Sequence, residues 1–131
     1  MKKREGFTVI EIIVAILVVV VGVIVFFTSQ ASVQAATRDQ SRKTSINAFY
    51  YALENSFHKQ NGYYPQTIDS KTLPMVDPSL FNDPGGIEVN KTGSTLHYKA
   101  VNCNTAGQCH SYELSADLER EATYTKQSIH S

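Results

Sequence analysis

Every residue from Ile12 to Phe27 is apolar or glycine. Counted from Phe7 the segment reaches about 21 residues, enough at about 1.5 Å per residue to cross a bilayer core of roughly 30 Å. Beyond it, residues 28–61 are more polar but hold no proline or glycine, and Ala31, Ala35, Ala36, Gln34, Gln40, Arg42 and Lys43 all suit a helix. Ile46, Phe49 or Tyr50, Leu53 and Phe57 then recur at spacings of three and four, which places an apolar stripe on one face. The pattern predicts one helix from Phe7 to about Gln60, some 80 Å long, stopped by Asn61-Gly62 with Pro65 preventing its resumption.

Residues 62–86, rich in proline, aspartate, asparagine and glycine, read as a wrapping loop with a short helical turn at Pro78–Phe81. Three runs with strand character follow: Ile87–Asn90, Thr95–Val101 after the turn signal Lys91-Thr92-Gly93-Ser94, and Ser111–Leu114. Leu96, Tyr98 and Ala100 alternate with His97, Lys99 and Val101, so one strand face can pack on the helix. The expected fold class is α+β, a long N-terminal helical spine on a small antiparallel three-stranded sheet with a disulfide-closed loop. Its expected divisions are a short leader (1–6), a membrane or filament-core half-helix (7–28), an amphipathic half-helix (29–61), a globular head (62–122) and a loose polar tail (123–131).

Charge adds an orientation. Twelve Lys and Arg balance twelve Asp and Glu, so no overall field draws the chain to nucleic acid or an acidic surface. Lys2, Lys3 and Arg4 sit directly before the apolar run, whereas Arg38, Arg42 and Lys43 follow it at a distance. Basic residues flanking a span favour the cytoplasmic side, so the expected orientation is N-in and C-out, single-pass in the cytoplasmic or inner membrane. A cleavable signal is a competing reading, since Val33-Gln34-Ala35 has small-x-small character, and a plain anchor is another. Glu11 inside the run separates these readings, because a carboxylate at the bilayer centre costs on the order of 2 to 3.5 kcal/mol. It can snorkel to the headgroups, or favour the helix start through the macrodipole. If the chain is cut after Gly6, the new Phe7 amine lies four positions before Glu11, and in a staggered stack one subunit's Glu11 meets its neighbour's amine. Such a pair fixes axial register more than it adds stability.

The stretch KKREGFTVIEIIVAILVVVVGVIVF resembles the N-terminus of type IV pilins and of the pseudopilins of type II secretion and DNA-uptake systems. Gly6, Phe7 and Glu11 match the leader's last residue, the methylated first mature residue and the acid four residues later. The strings NGYYP, NDPGG and SYELSADLE are similar to pilin and major-pseudopilin heads. Glu5 departs from the family's usual residue before the glycine, and the membrane helix lacks the proline many pilins carry. The resemblance implies cleavage between Gly6 and Phe7 and N-methylation of Phe7 by a prepilin peptidase. It also implies an inner-membrane assembly platform and ATPase as partners, membrane lipid before assembly, and self-polymerisation into an extracellular or cell-surface filament for adhesion, motility or DNA uptake. The alternatives are a pseudopilin of a secretion or competence system, and a membrane-anchored extracellular binding module that does not polymerise.

Cys103 and Cys109 flank a polar loop in the part expected outside the cytoplasm, where a disulfide is the natural state. A zinc site would draw on His97 and His110 without paired spacing, which is a weak pattern. Because major-pseudopilin heads often bind calcium near the C-terminus, Asp117 and Glu119, with Asp83 at a distance, are its candidate ligands. The competing reading gives them to a short C-terminal helix N-capped by Ser115. His58 and His130 read as exposed surface residues. No nucleophile motif, phosphate-binding glycine loop or histidine pair points to an enzyme. The many tyrosines and phenylalanines are interleaved with few lysines or arginines, so core and subunit-contact roles outweigh nucleic-acid stacking.

Overall fold

The structure, a computed structural model, describes residues 6–130; Lys2, Lys3, Arg4 and Glu5 of the expected leader lie outside the described residues. The chain divides into two compact units, residues 1–34 and 35–131. Helix α1 spans Val9–Ala52, continues through a widened π-helical turn at Leu53–Phe57, and ends as α2 at His58–Asn61. Its start lies two residues later than expected, because Thr8 supplies the first acceptor: its carbonyl takes the N–H groups of Glu11 at 3.0 Å and Ile12 at 3.3 Å. Its end is the expected one. Gly62 adopts φ 77°, a left-handed conformation that only glycine enters freely, and donates its N–H to the His58 carbonyl.

The second unit is α+β, with the helix packed on a four-stranded antiparallel sheet rather than the expected three. The strands are β1 (Tyr64–Pro65), β2 (Leu96–Cys103), β3 (Gln108–Ala116) and β4 (Tyr124–Gln127). β3 is central, paired to β2 along one side and to β1 and β4 on the other. The β2–β3 register sets Leu96 opposite Ala116, Tyr98 opposite Leu114 and Cys103 opposite Cys109, and the last pair is joined as a disulfide. Inward residues of this hairpin, Leu96, Tyr98, Tyr112 and Leu114, meet Ile46, Phe49 and Leu53 of the helix in one core.

Three expectations are corrected. Ile87–Asn90 is not a strand; its one bridge pairs Glu88 with Asn82, outside the sheet. Asp83 is the cause on one side, since its carboxylate takes the N–H groups of Gly85 and Ile87 and folds the NDPGG segment into a compact turn. Asn90 is the cause on the other: at φ 63° its backbone leaves the extended region. Its side-chain amide replaces the lost strand, accepting from Tyr98 N–H and donating to the Tyr98 carbonyl, both at 2.8 Å. Ser115 lies inside β3, so no helix begins there. The polar tail is ordered as β4, with Tyr124 hydrogen-bonded to Asn47 at 3.0 Å and Lys126 stacked 4.7 Å from the Tyr50 ring centroid.

The widened turn has a packing consequence. Ala52, Leu53 and Glu54 are all buried, a run of three that a regular amphipathic stripe does not bury. Glu54, at 6 % exposure, accepts from the Tyr112 hydroxyl at 2.8 Å, the Tyr64 hydroxyl at 3.0 Å and the Ile129 backbone N–H at 3.1 Å. Burial, then the hydrogen bond to Glu54, pushes both phenols well above the ordinary tyrosine range. Two hydroxyls and one N–H lose their acceptor if this carboxylate is removed. Glu54→Ala is therefore expected to lower unfolding stability by about 3 kcal/mol, and Tyr112→Phe, which deletes one donor, by about 1.5 kcal/mol, both read from urea unfolding followed by circular dichroism.

Candidate functional site

The N-terminal residues form the first candidate site. Gly6, Phe7 and Thr8 precede the first helical turn, so the Gly6–Phe7 peptide bond lies outside the helical hydrogen-bond ladder, and the Phe7 side chain is 78 % exposed. Glu11 stands in the first turn of α1, where the unpaired N–H groups and the macrodipole favour a carboxylate. Among the described residues its carboxylate has neither a hydrogen-bond nor an ion-pair partner.

The helix that follows has the length and composition to cross a membrane, with a mean hydropathy of 3.4 in its most apolar stretch. From Val9 to Phe27 its large side chains are all about half exposed or more. They surround the helix on every side, so turning it cannot hide them. The stretch is mostly valine and isoleucine, whose branched side chains give only moderate helix propensity in water. In an apolar medium the same helix is favoured, because each backbone N–H and C=O must then be satisfied within the segment.

The second candidate group is a charged clamp between α1 and residues 117–121, which sequence reading assigned to calcium or to a terminal helix. Arg42, only 6 % exposed, holds Asp39 at 2.8 Å and Glu119 at 3.0 Å through Nη1, and Thr95 through Nε at 3.0 Å. Arg38 grips the same Glu119 with two N–H groups at 2.7 and 2.6 Å. Asp39, also buried, accepts the backbone N–H groups of Glu119 and Arg120. Burial drives the Asp39 carboxyl upward, but those two N–H groups and Arg42 outweigh it and leave it below the ordinary range. Lys43 adds a contact to Glu121 at 2.8 Å.

The calcium candidates are thus engaged elsewhere. Glu119 is held by two guanidiniums, Asp117 faces His97 at 3.0 Å, and both Asp83 oxygens take N–H groups, Oδ2 from Thr95. Among the described residues no group of three or more histidine, cysteine or acidic side chains is arranged to hold a metal ion. His97 and His110 therefore do not share such a group. His130 is exposed, as expected, while His58 is half-buried, and their rings stack with centroids 4.6 Å apart. The clamp and the Glu54 cluster were both missed in the sequence. The available signal was the surplus of phenol donors beside one acid flanking the apolar stripe.

Comparisons with protein-family models, with curated proteins and with solved structures find no match for this chain.

The clamp predicts a defined acid response. The hydrogen bonds from Arg38 and then Arg42 hold the Glu119 carboxyl at about 2, below its ordinary 4.5. A depressed acid stabilises the fold fully above its unfolded value and loses that contribution as pH falls through the folded one. The amide NMR signals of Glu119 and Arg120 should hold their positions from neutrality down to about pH 4.5 and move between there and about pH 2. In Arg38→Gln the midpoint should rise toward the ordinary carboxylate range.

Proposed function

We propose that this chain is a type IV pilin-like structural subunit, cut between Gly6 and Phe7 by a prepilin peptidase that also methylates Phe7, and polymerised through its apolar helix into an extracellular filament. The observation that carries the reading is the helix itself, apolar on every side and uncovered from Val9 to Phe27, with one carboxylate in its first turn. Before assembly lipid covers it, with the N-terminus cytoplasmic and the second unit outside; after assembly the helices of other copies cover it. The disulfide suits an extracytoplasmic second unit. The leader resemblance and the exposed Gly6–Phe7 bond agree with processing from the cytoplasmic side. Glu11 then pairs with the Phe7 amine of a neighbouring copy and sets the axial stagger. The chain's work is mechanical, and the energy for extension comes from a partner ATPase at the assembly platform.

Mass spectrometry of the protein isolated from its membrane tests the processing step: a mature chain starting at N-methylated Phe7 is expected, while a start at Met1 or at Ala36 rules the cut out. Glu11→Ala separates insertion from assembly. The variant should fractionate with membranes as before and yield few or no filaments by electron microscopy, and filaments of unchanged number and order would remove the register role.

A further inference from the structure

A cleft of about 350 Å³ opens beside the disulfide, lined by none of the clamp residues, and three imidazoles line it: His58 from α2, His110 from β3 and His130 from the tail. His58 is sandwiched. Its ring stacks on Tyr64 with centroids 4.6 Å apart and on His130 at 4.6 Å, the two imidazole planes only 12° apart. The remaining wall carries Tyr63, Asn102 and Gln108. Gln108 Oε1 accepts from Asn104 at 3.1 Å, which leaves its Nε2 to donate elsewhere. Neither the His110 ring nor the Asn102 side chain hydrogen-bonds to another described residue.

Among the described residues the lining contains no carboxylate, no lysine and no arginine. Near-parallel rings keep the lone pairs of His58 and His130 in separate planes, so the two do not converge on one cation. They suit the opposite ligand. Histidine gains charge in the mildly acidic range, and two stacked imidazolium rings repel unless an anion lies against them. Among the described residues no carboxylate oxygen is bonded to either ring: the acid bound to Tyr64, Glu54, accepts from the Tyr64 and Tyr112 hydroxyls and the Ile129 N–H instead. Lys59, next to His58, is turned to Asn55 at 3.4 Å.

We propose that this cleft binds a sulfate or carboxylate group, free or carried on a saccharide, and that the three imidazoles hold it in their protonated form with Gln108 and Asn102 donating alongside. Binding and protonation are then linked reciprocally: acid tightens the anion, and the anion draws protons onto the rings. The site does not depend on whether the chain polymerises.

The test uses the full chain in zwitterionic detergent micelles and sulfate, whose charge is constant across the range. The imidazole ¹⁵N–¹H signals are followed at about pH 5.5 and about pH 7.5, on either side of ordinary histidine titration. The expected result is saturable movement of the His58, His110 and His130 signals at the lower pH and at least about tenfold weaker binding at the higher. His110→Gln and His130→Gln should each weaken binding several-fold at the lower pH with an unchanged circular dichroism spectrum. Glucuronate and a sulfated disaccharide are titrated in parallel. Tighter binding of either sugar than of sulfate identifies a saccharide-borne group, and equal binding a free anion; both support the site. No movement at the lower pH, equal affinity at the two pH values, or movement confined to signals outside the cleft overturns it.

Discussion

A carboxylate without a cationic partner lies at the centre of the second unit, and the elements around it are those that most need fixing. Glu54 comes from the helix, Tyr64 from β1, Tyr112 from β3 and the Ile129 N–H from the chain beyond β4. A buried carboxyl group is tolerated only when several partners replace its water, and here those donors come from three separated stretches of chain. The widened turn at Leu53–Phe57 presents Glu54 to them. Sheet, helix and tail thus meet at one acceptor, and a unit of fewer than a hundred residues has little other core to spare.

The first unit is governed by the opposite constraint. Among its described residues the stretch from Val9 to Phe27 has no polar side chain but Glu11, and none of them is buried. Water is a poor solvent for such a helix; hydrocarbon, or a bundle of like helices, is a good one. The two units are therefore built for different surroundings, although one run of helical hydrogen bonds crosses from one to the other. Where the polar unit begins, the helix carries charge: Arg38, Asp39 and Arg42 reach residues 119 and 120.

Local signals carried the parts of the fold that depend on near neighbours. The stripe of Ile46, Phe49 and Leu53, the stop at Asn61-Gly62, the alternation of Leu96 and Tyr98, and the facing cysteines were all legible. What escaped depends on partners far along the chain. Glu54 looks like a solvent residue beside an apolar stripe until Tyr112, 58 positions away, is brought to it. Ile87–Asn90 has strand composition, yet the carboxylate of Asp83 and the left-handed Asn90 override it. Tyr124–Gln127 is too polar to announce a strand, because it pairs with β3 and buries little. At the N-terminus the spacing of Gly6, Phe7 and Glu11 was plain from sequence, and the structure adds that the Gly6–Phe7 bond precedes the helix.

Asn90 bears on what the border of the sheet offers to another strand. A strand at the border of a sheet ordinarily offers its backbone to any passing strand, and fibres can grow by that route. In β2 the N–H and C=O of Tyr98 are already taken by the Asn90 amide, and Asn102, at φ 55°, bends the same strand out of extended geometry near its end. Strand addition is thereby blunted along this border. The apolar helix differs in kind from such a border: its backbone groups are satisfied within the helix, and it offers only side chains to whatever covers it.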